Sequence, residues 1–210
     1  MGRVDRRAIG GEGAEPVRGA RCLLALAAAL LTSGCDQQQE AAFACPEPGT
    51  VYTLSTPLAA SAEPRFQTRI LILGSAGYDC HLLSEIHGDY WMRAALVDRT
   101  SNKAMTAAAE ELWPLQVGKA THAHAGGENS QWSIDYRVVA HRKFAARVGT
   151  FDAYEIVGTL RSNGKISWTT TTWWAPDLRY TLSYRLERSD GRGNAAWEIA
   201  ALGADTMARR

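Results

Sequence analysis

Alternation of apolar and polar side chains is the clearest pattern in the C-terminal half of this chain. Residues 180–187 read Tyr, Thr, Leu, Ser, Tyr, Arg, Leu and Glu, and residues 132–138 repeat the same period of two. A strand with one buried face has this period, because successive side chains point to opposite sides of a sheet. Residues 168–174 contain only Trp and Thr, which favour strands. These segments predict antiparallel strands across about residues 131–201.

Turn residues separate these strands at short intervals. Asn163-Gly164 is the pair that a two-residue hairpin turn prefers, and Ala175-Pro176-Asp177 marks the next connection. Further upstream, the apolar run at residues 69–73 ends at Gly74, which is typical of a buried strand. The spacing of strands and turns therefore predicts an antiparallel meander.

One segment has helical character. Residues 106–113 read Thr-Ala-Ala-Ala-Glu-Glu-Leu-Trp, in which strong helix formers follow a possible capping residue, Thr106. Pro114 comes next and stops the helix. We therefore predict a mainly β fold, an antiparallel sandwich or half-barrel with one short helix.

The N-terminal segment has a different character. Arg18 and Arg21 precede an apolar run, residues 22–31, which is too short to cross a bilayer as a helix. A basic start and a short apolar run before small residues are typical of a secretory signal peptide. Residues 32–35, Thr-Ser-Gly-Cys, resemble the lipobox of bacterial lipoproteins. This resemblance implies that a lipid is attached to Cys35 and that its acyl chains anchor the protein to a membrane.

Ordinary cleavage near Gly34 and free secretion is the alternative. For the lipoprotein we expect a location in the cell envelope, facing the periplasm. Asp36 resembles an inner-membrane retention signal of enteric lipoproteins, which favours the inner over the outer membrane. We predict a signal peptide over residues 1–34 and a lipidated cysteine with a flexible tether over residues 35–44. An N-terminal β part follows over residues 45–105, and a C-terminal β meander over residues 106–205 can form one domain with it.

The cysteines bear on a possible disulfide, and the charge balance bears on the class of partner. Cys22 lies in the leader and Cys35 at the lipidation site, which leaves Cys45 and Cys80. Two cysteines in an oxidising compartment can pair, so we predict a disulfide, with two separate buried thiols as the alternative. Beyond the leader the chain has 18 basic and 19 acidic residues. A neutral balance argues against nucleic-acid binding, which requires a basic face.

Three segments carry a family resemblance. Residues 148–157, VGTFDAYEIV, and 173–178, WWAPDL, resemble a signature of uncharacterised bacterial envelope proteins, roughly A-G-T-F-x-x-Y-x-I and then W-Y-A-P-x-x-G. Residues 112–118 resemble the lead-in to that signature. Trp174 stands where the family often has tyrosine, and Arg179 where it often has glycine. The resemblance implies an envelope β-domain and no particular reaction.

Candidate catalytic and metal-ligating residues are few. Asp79, His81 and Glu85 offer acid and base types near Cys80, but a disulfide would remove the thiolate that a Cys–His pair needs. His122 and His124 could share one face of a strand as metal ligands, but no third ligand can be named, and the following Ala-Gly-Gly favours an exposed loop. We predict no catalytic residue, metal or cofactor from these patterns.

Aromatic residues offer a binding surface instead. All seven tryptophans lie beyond the leader, and Trp173 and Trp174 are consecutive, so an extended strand would send them to opposite faces. One of the two could then be exposed or line a cleft, and we predict a ligand surface there.

The leading hypothesis is a membrane-anchored, non-catalytic envelope lipoprotein that binds a partner protein or a hydrophobic or glycan ligand. One alternative is a small hydrolase or transferase acting on envelope polymers with Asp79, His81 or Glu85. The other alternative is a purely structural tether or assembly factor. Clustering of the three polar residues in a cleft would favour the enzyme, and their dispersal would favour the binder.

Overall fold

The computed structural model describes residues 40–58, 61–98, 101–127 and 130–204. The predicted signal segment, residues 1–34, and Cys35 lie outside these ranges. One helix, α1, spans Lys103–Glu111. The strands in chain order are β1 (Thr50–Leu58), β2 (Ser61–Ala76), β3 (Asp79–Ser84), β4 (Gly88–Arg93), β5 (Val97–Asp98), β6 (Ala120–Gly127), β7 (Ser130–Ala146), β8 (Gly149–Ser162), β9 (Lys165–Ala175), β10 (Tyr180–Arg188) and β11 (Ala195–Ala204).

The strands form one antiparallel sheet with the order β5-β4-β3-β2-β1-β11-β10-β9-β8-β7-β6. The sheet is not closed, because β5 and β6 stand at its two edges. The helix follows β5 in the chain, and it contacts both edge strands as well as β4 and β7. The predicted mainly β, antiparallel fold with one short helix is confirmed, and a single open sheet corresponds to its half-barrel form.

The two parts predicted at residues 45–105 and 106–205 share this sheet. Residues Thr50–Ser55 of β1 pair with Glu198–Ala204 of β11, which joins the first strand to the last. The described residues from 40 to 204 belong to one compact unit. The boundary at residue 105 therefore separates two halves of one folded unit.

Local sequence explains the turns better than it explains the helix start. Asn163 and Gly164 both have positive φ, 48° and 77°, as the predicted two-residue hairpin between β8 and β9 requires. The helix begins three residues before the predicted Thr106. Asn102 is its N-cap and accepts a hydrogen bond from the Ala104 N–H at 2.8 Å. Asparagine is a stronger cap than threonine, so it takes the helix terminus.

Inside the helix, the Thr106 hydroxyl donates to the Lys103 carbonyl at 2.8 Å. Thr106, Ala108 and Ala109 form the buried side of the helix. Among the described residues, no helix has the length and apolar character that crossing a bilayer requires.

Buried apolar side chains form two clusters. The helix cluster packs α1 and the segment after it against β6, β7, β8 and the end of β9. The disulfide cluster joins β1, β2 and β3 to β10 and β11, and it includes Cys45 and Cys80. Alternate residues of β7 and β8 supply the first cluster, in agreement with their period of two. Its principal side chains are Leu112, Trp113, Leu115, Ile134, Tyr136, Val138, Tyr154, Ile156 and Trp174.

Close packing around Gly158 gives a test of this core. Gly158 of β8 lies opposite Tyr136 and Thr170 in the sheet. A Cβ at this position would lie 2.5 Å from Thr170 Oγ1 and 3.0 Å from Tyr136 Cε1. We therefore expect Gly158→Ala to lower the free energy of unfolding by about 1–3 kcal/mol in urea denaturation. Gly74→Ala is the matched control, since nothing lies within 4 Å of its Cβ position. Equal effects of the two substitutions would contradict the packing.

Candidate functional site

A disulfide ties the chain that leads into the sheet onto β3. Cys45 is bonded to Cys80, with 5.7 Å between their Cα atoms and a separation of 35 residues. This is the pairing predicted from the sequence. The bond also removes the Cys80 thiolate, so a Cys–His nucleophile at this position has no chemical basis while the disulfide is intact.

Residues 40–44, here called the entry segment, pack against the fold just before this disulfide. Ala41 and Leu115 exchange two backbone hydrogen bonds, at 3.1 and 2.8 Å. The Phe43 ring lies 5.0 Å from the Trp113 ring and 5.3 Å from the Tyr78 ring, between centroids. The last five residues of the predicted flexible tether are therefore part of the folded domain.

The three segments that carry the family resemblance meet beside the entry segment. Trp113 from residues 112–118 lies edge-on against Trp174 from residues 173–178, with 4.7 Å between ring centroids. Tyr154 and Ile156 from residues 148–157 belong to the same helix cluster. Residues up to 61 positions apart in sequence thus converge at one place.

Trp174 stands out in this cluster because its indole N–H is buried without a hydrogen-bond partner. The side chain is 1% exposed. Trp113 beside it is satisfied, since its Nε1 donates to the Ala94 carbonyl at 3.2 Å. Buried polar groups are nearly always paired, and leaving one unpaired costs about 1–3 kcal/mol. The Trp174 N–H is thus a hydrogen-bond donor from which no group of the described residues accepts.

A half-open pocket of about 270 Å³ adjoins Trp174. One wall is the entry segment, and the other is formed by β8 together with the turn from β9 to β10. Such a volume is at the small end of the usual range for ligand pockets, roughly 300–1,000 Å³. The lining residues are Glu40, Ala41, Ala42, Ala44, Tyr154, Trp174, Pro176 and Arg179.

Charged groups of both signs line the pocket. Arg179 has a positive φ of 52°, and its N–H donates to the Pro176 carbonyl at 3.1 Å. Its Nη1 donates to Glu47 Oε1 at 2.6 Å. Desolvation, assisted by the charge of Glu40, raises the pKa of Tyr154.

Trp173 faces the other side of β9 and is half-buried. Its ring stacks on Phe144 at 4.7 Å, and the Arg142 guanidinium lies 5.0 Å from its centroid. Arg142 also donates to Glu155 at 3.0 Å. The two consecutive tryptophans thus have different surroundings: Trp174 lines a pocket, and Trp173 is covered by its own neighbours.

The polar residues of the enzyme alternative each have a separate partner. Asp79 is buried and accepts two hydrogen bonds from Arg93, both at 2.7 Å. His81 stacks on Trp91 and bonds Asp89. Glu85 is exposed and accepts from the backbone and side chain of Arg69. The three side chains thus pair with three different residues, Arg93, Asp89 and Arg69.

The histidine pair lies on a strand and not on the loop that its sequence favours. His122 and His124 belong to β6, which pairs along its length with β7, and both imidazoles are exposed. His122 Nδ1 lies 2.7 Å from Asp135 Oδ1. Throughout the ranges that the structure covers, His, Cys, Asp and Glu nowhere form a group of three suited to a metal ion.

Sequence reasoning named the pair Trp173 and Trp174 without choosing between them, and it gave no role to Tyr154, Arg179 or Glu40. One signal was present in the resemblance. Arg179 stands where the family often has glycine, and its positive φ is a conformation that glycine adopts readily. The Pro176–Arg179 turn places the arginine at the pocket.

Comparisons with known proteins give similarity in chain path alone. No family model matches the chain, and no curated protein matches it. The hypothetical lipoprotein YmcC from Escherichia coli is 11% identical, covers 85% of this chain and 96% of its own, and has a TM-score of 0.44. A Parabacteroides distasonis protein, described as a lipoprotein by inference, is 8% identical over 79% of this chain and 100% of its own, with a TM-score of 0.41.

A third similar structure is an exported protein with a YmcC-like fold from Bacteroides fragilis, also described by inference. It is 8% identical, covers 78% of this chain and 99% of its own, and has a TM-score of 0.39. The three descriptions thus name lipoproteins or exported proteins. At these identities and TM-scores, we transfer no function from them.

Proposed function

We propose that this protein is a non-catalytic lipoprotein of the bacterial cell envelope that binds a ligand in the pocket beside its entry segment. The observation that carries the proposal is the buried Trp174 N–H, which has no partner and belongs to a pocket-lining residue. The lipobox-like Thr32–Cys35 segment supports the anchor. The dispersal of Asp79, His81 and Glu85 among separate partners favours binding over catalysis.

The unpaired N–H can be tested by a pair of tryptophan substitutions. Trp174→Phe and Trp113→Phe remove the same atoms from adjacent rings of one cluster. Trp113→Phe leaves the Ala94 carbonyl without its donor, whereas Trp174→Phe removes a donor that has no acceptor. We expect Trp113→Phe to lower the free energy of unfolding by about 1–3 kcal/mol more than Trp174→Phe does, in ligand-free protein. Equal losses would show that the Trp174 N–H has a partner and would remove the main support for the site.

The anchor has a test of its own. Cys35→Ser removes the sulfur that would carry the lipid, so the variant should leave the membrane fraction when cells are broken and centrifuged. Cys22→Ala is the matched control, because it changes a cysteine of the leader and leaves both the lipidation site and the Cys45–Cys80 disulfide in place. Retention of Cys35→Ser in the membrane fraction would contradict the lipoprotein assignment.

A further inference from the structure

The position of the pocket relative to the anchor limits which ligands can reach it. Glu40, the first pocket residue, follows Cys35 by five positions. Five residues span at most about 18 Å when fully extended. A lipid on Cys35 would therefore hold this wall of the pocket close to the bilayer surface. Phospholipid headgroups would surround it at a high effective concentration, so even a weak intrinsic affinity would fill the pocket.

The charges of the pocket match a ligand with one negative and one positive group. Arg179 has five N–H donors, and its bond to Glu47 engages Nη1. Guanidinium groups pair well with phosphate oxygens. Trp174, whose indole N–H is unpaired, lines the same pocket, and the Glu40 carboxylate can accept from an ammonium group. Donors for an anion and an acceptor for a cation thus line the same small space.

The size of the pocket excludes larger ligands. Three alanines form most of the entry-segment wall, and the space of about 270 Å³ is half open. That volume suits a headgroup that enters from the surface, and it leaves no room for acyl chains or a folded partner.

We infer that the pocket binds the zwitterionic headgroup of a membrane phospholipid of the phosphatidylethanolamine type, with its phosphate at Arg179 and Trp174 and its ammonium at Glu40. This inference rests on the proposed function, because it assigns the ligand of the same pocket. Headgroup binding would hold the domain against the membrane that carries its anchor, in addition to the covalent lipid.

Nuclear magnetic resonance of the tryptophan indole protons tests this directly. The lipidated protein, labelled with ¹⁵N and held in maltoside detergent, is titrated with dihexanoyl phosphatidylethanolamine below its micelle concentration. The Trp174 signal is assigned by its loss in Trp174→Phe. We expect this signal to move downfield and to saturate as the N–H gains an acceptor. The Trp113 signal should stay in place, because its N–H already donates to Ala94.

Two comparisons test whether the pocket is specific for this headgroup. Glu40→Gln should weaken phosphatidylethanolamine binding about tenfold or more, the effect of one charge-assisted hydrogen bond, and should not weaken binding of dihexanoyl phosphatidylglycerol, which has no ammonium group. Glycerophosphoethanolamine, the soluble headgroup compound, should bind no more tightly than the lipid. Tighter binding of the soluble compound would contradict the inference that the ligand is a membrane lipid.

Failure of this inference can be separated from failure of the proposed function. No response of Trp174 to any phospholipid would overturn the headgroup assignment. If the protein then retains a different non-covalent mass that Trp174→Phe loses, the binding function stands. If it retains no mass at all, both fall.

Discussion

Removing the Cys45–Cys80 disulfide should lower the free energy of unfolding by about 3–4 kcal/mol. The bond joins residues that are 35 positions apart. Closing a loop of this length lowers the conformational entropy of the unfolded chain, which stabilises the fold by about 3–4 kcal/mol. Its loss should also release the entry segment, since Cys45 directly follows residues 40–44. We expect Cys45→Ala/Cys80→Ala to show both effects, measured by urea denaturation and by ligand retention.

Reductant provides the control for this prediction. Dithiothreitol should destabilise the natural chain by a similar amount and leave the double variant unaffected. Thiol labelling of the denatured natural chain without reductant should find neither Cys45 nor Cys80 free. Full labelling of both would contradict the disulfide and would restore the thiol chemistry that the bond removes.

Asp79→Asn should lower the free energy of unfolding by about 3 kcal/mol. The Asp79 side chain is 5% exposed, and it accepts two hydrogen bonds from Arg93, which also reaches Glu110 of the helix at 3.0 Å. The hydrogen bonds to Asp79 raise the pKa of Arg93 further above its ordinary value, so the arginine stays charged. Breaking a buried pair typically costs about 3–5 kcal/mol, and the 29% exposure of Arg93 places this case at the lower end.

Glu85→Gln is the matched control, because Glu85 is the other acidic residue of the enzyme alternative. Its pair with Arg69 is exposed, with side-chain exposures of 38% and 44% for Arg69 and Glu85. Such pairs contribute about 0–1 kcal/mol, so the substitution should change stability little. If Asp79→Asn were as stable as the natural chain, the structural role given to Asp79 would be wrong.

The parts of the fold that follow from local pattern were predictable. β10 and the β8–β9 hairpin appear where alternation and Asn163-Gly164 place them. β6 was not predictable, since Ala and Gly dominate its sequence and only its pairing with β7 makes it a strand. The helix start was misplaced because the N-cap is Asn102, which lies four residues before Thr106. The open sheet with α1 between its edges depends on long-range pairing, which no local pattern contains.

The candidate site also contains one part that the sequence predicts and other parts that it does not. Consecutive tryptophans in a strand must face opposite sides, which pointed to one member of the pair Trp173 and Trp174 without choosing between them. That its indole N–H lacks a partner depends on surroundings contributed by distant segments. The association of Glu40 with Tyr154 and Arg179 arises from the bridge between Ala41 and Leu115 and from the Cys45–Cys80 bond. Only the cysteine pairing among these was within reach of sequence reasoning.

Native mass spectrometry of the protein taken from its own membranes in mild detergent is the most direct test of the central claim. We predict a chain that begins at Cys35, carries covalent acyl chains and retains a further non-covalent mass that Trp174→Phe loses and Trp113→Phe keeps. A lipidated chain with nothing bound would contradict the binding function, and a chain without acyl groups would contradict the anchor.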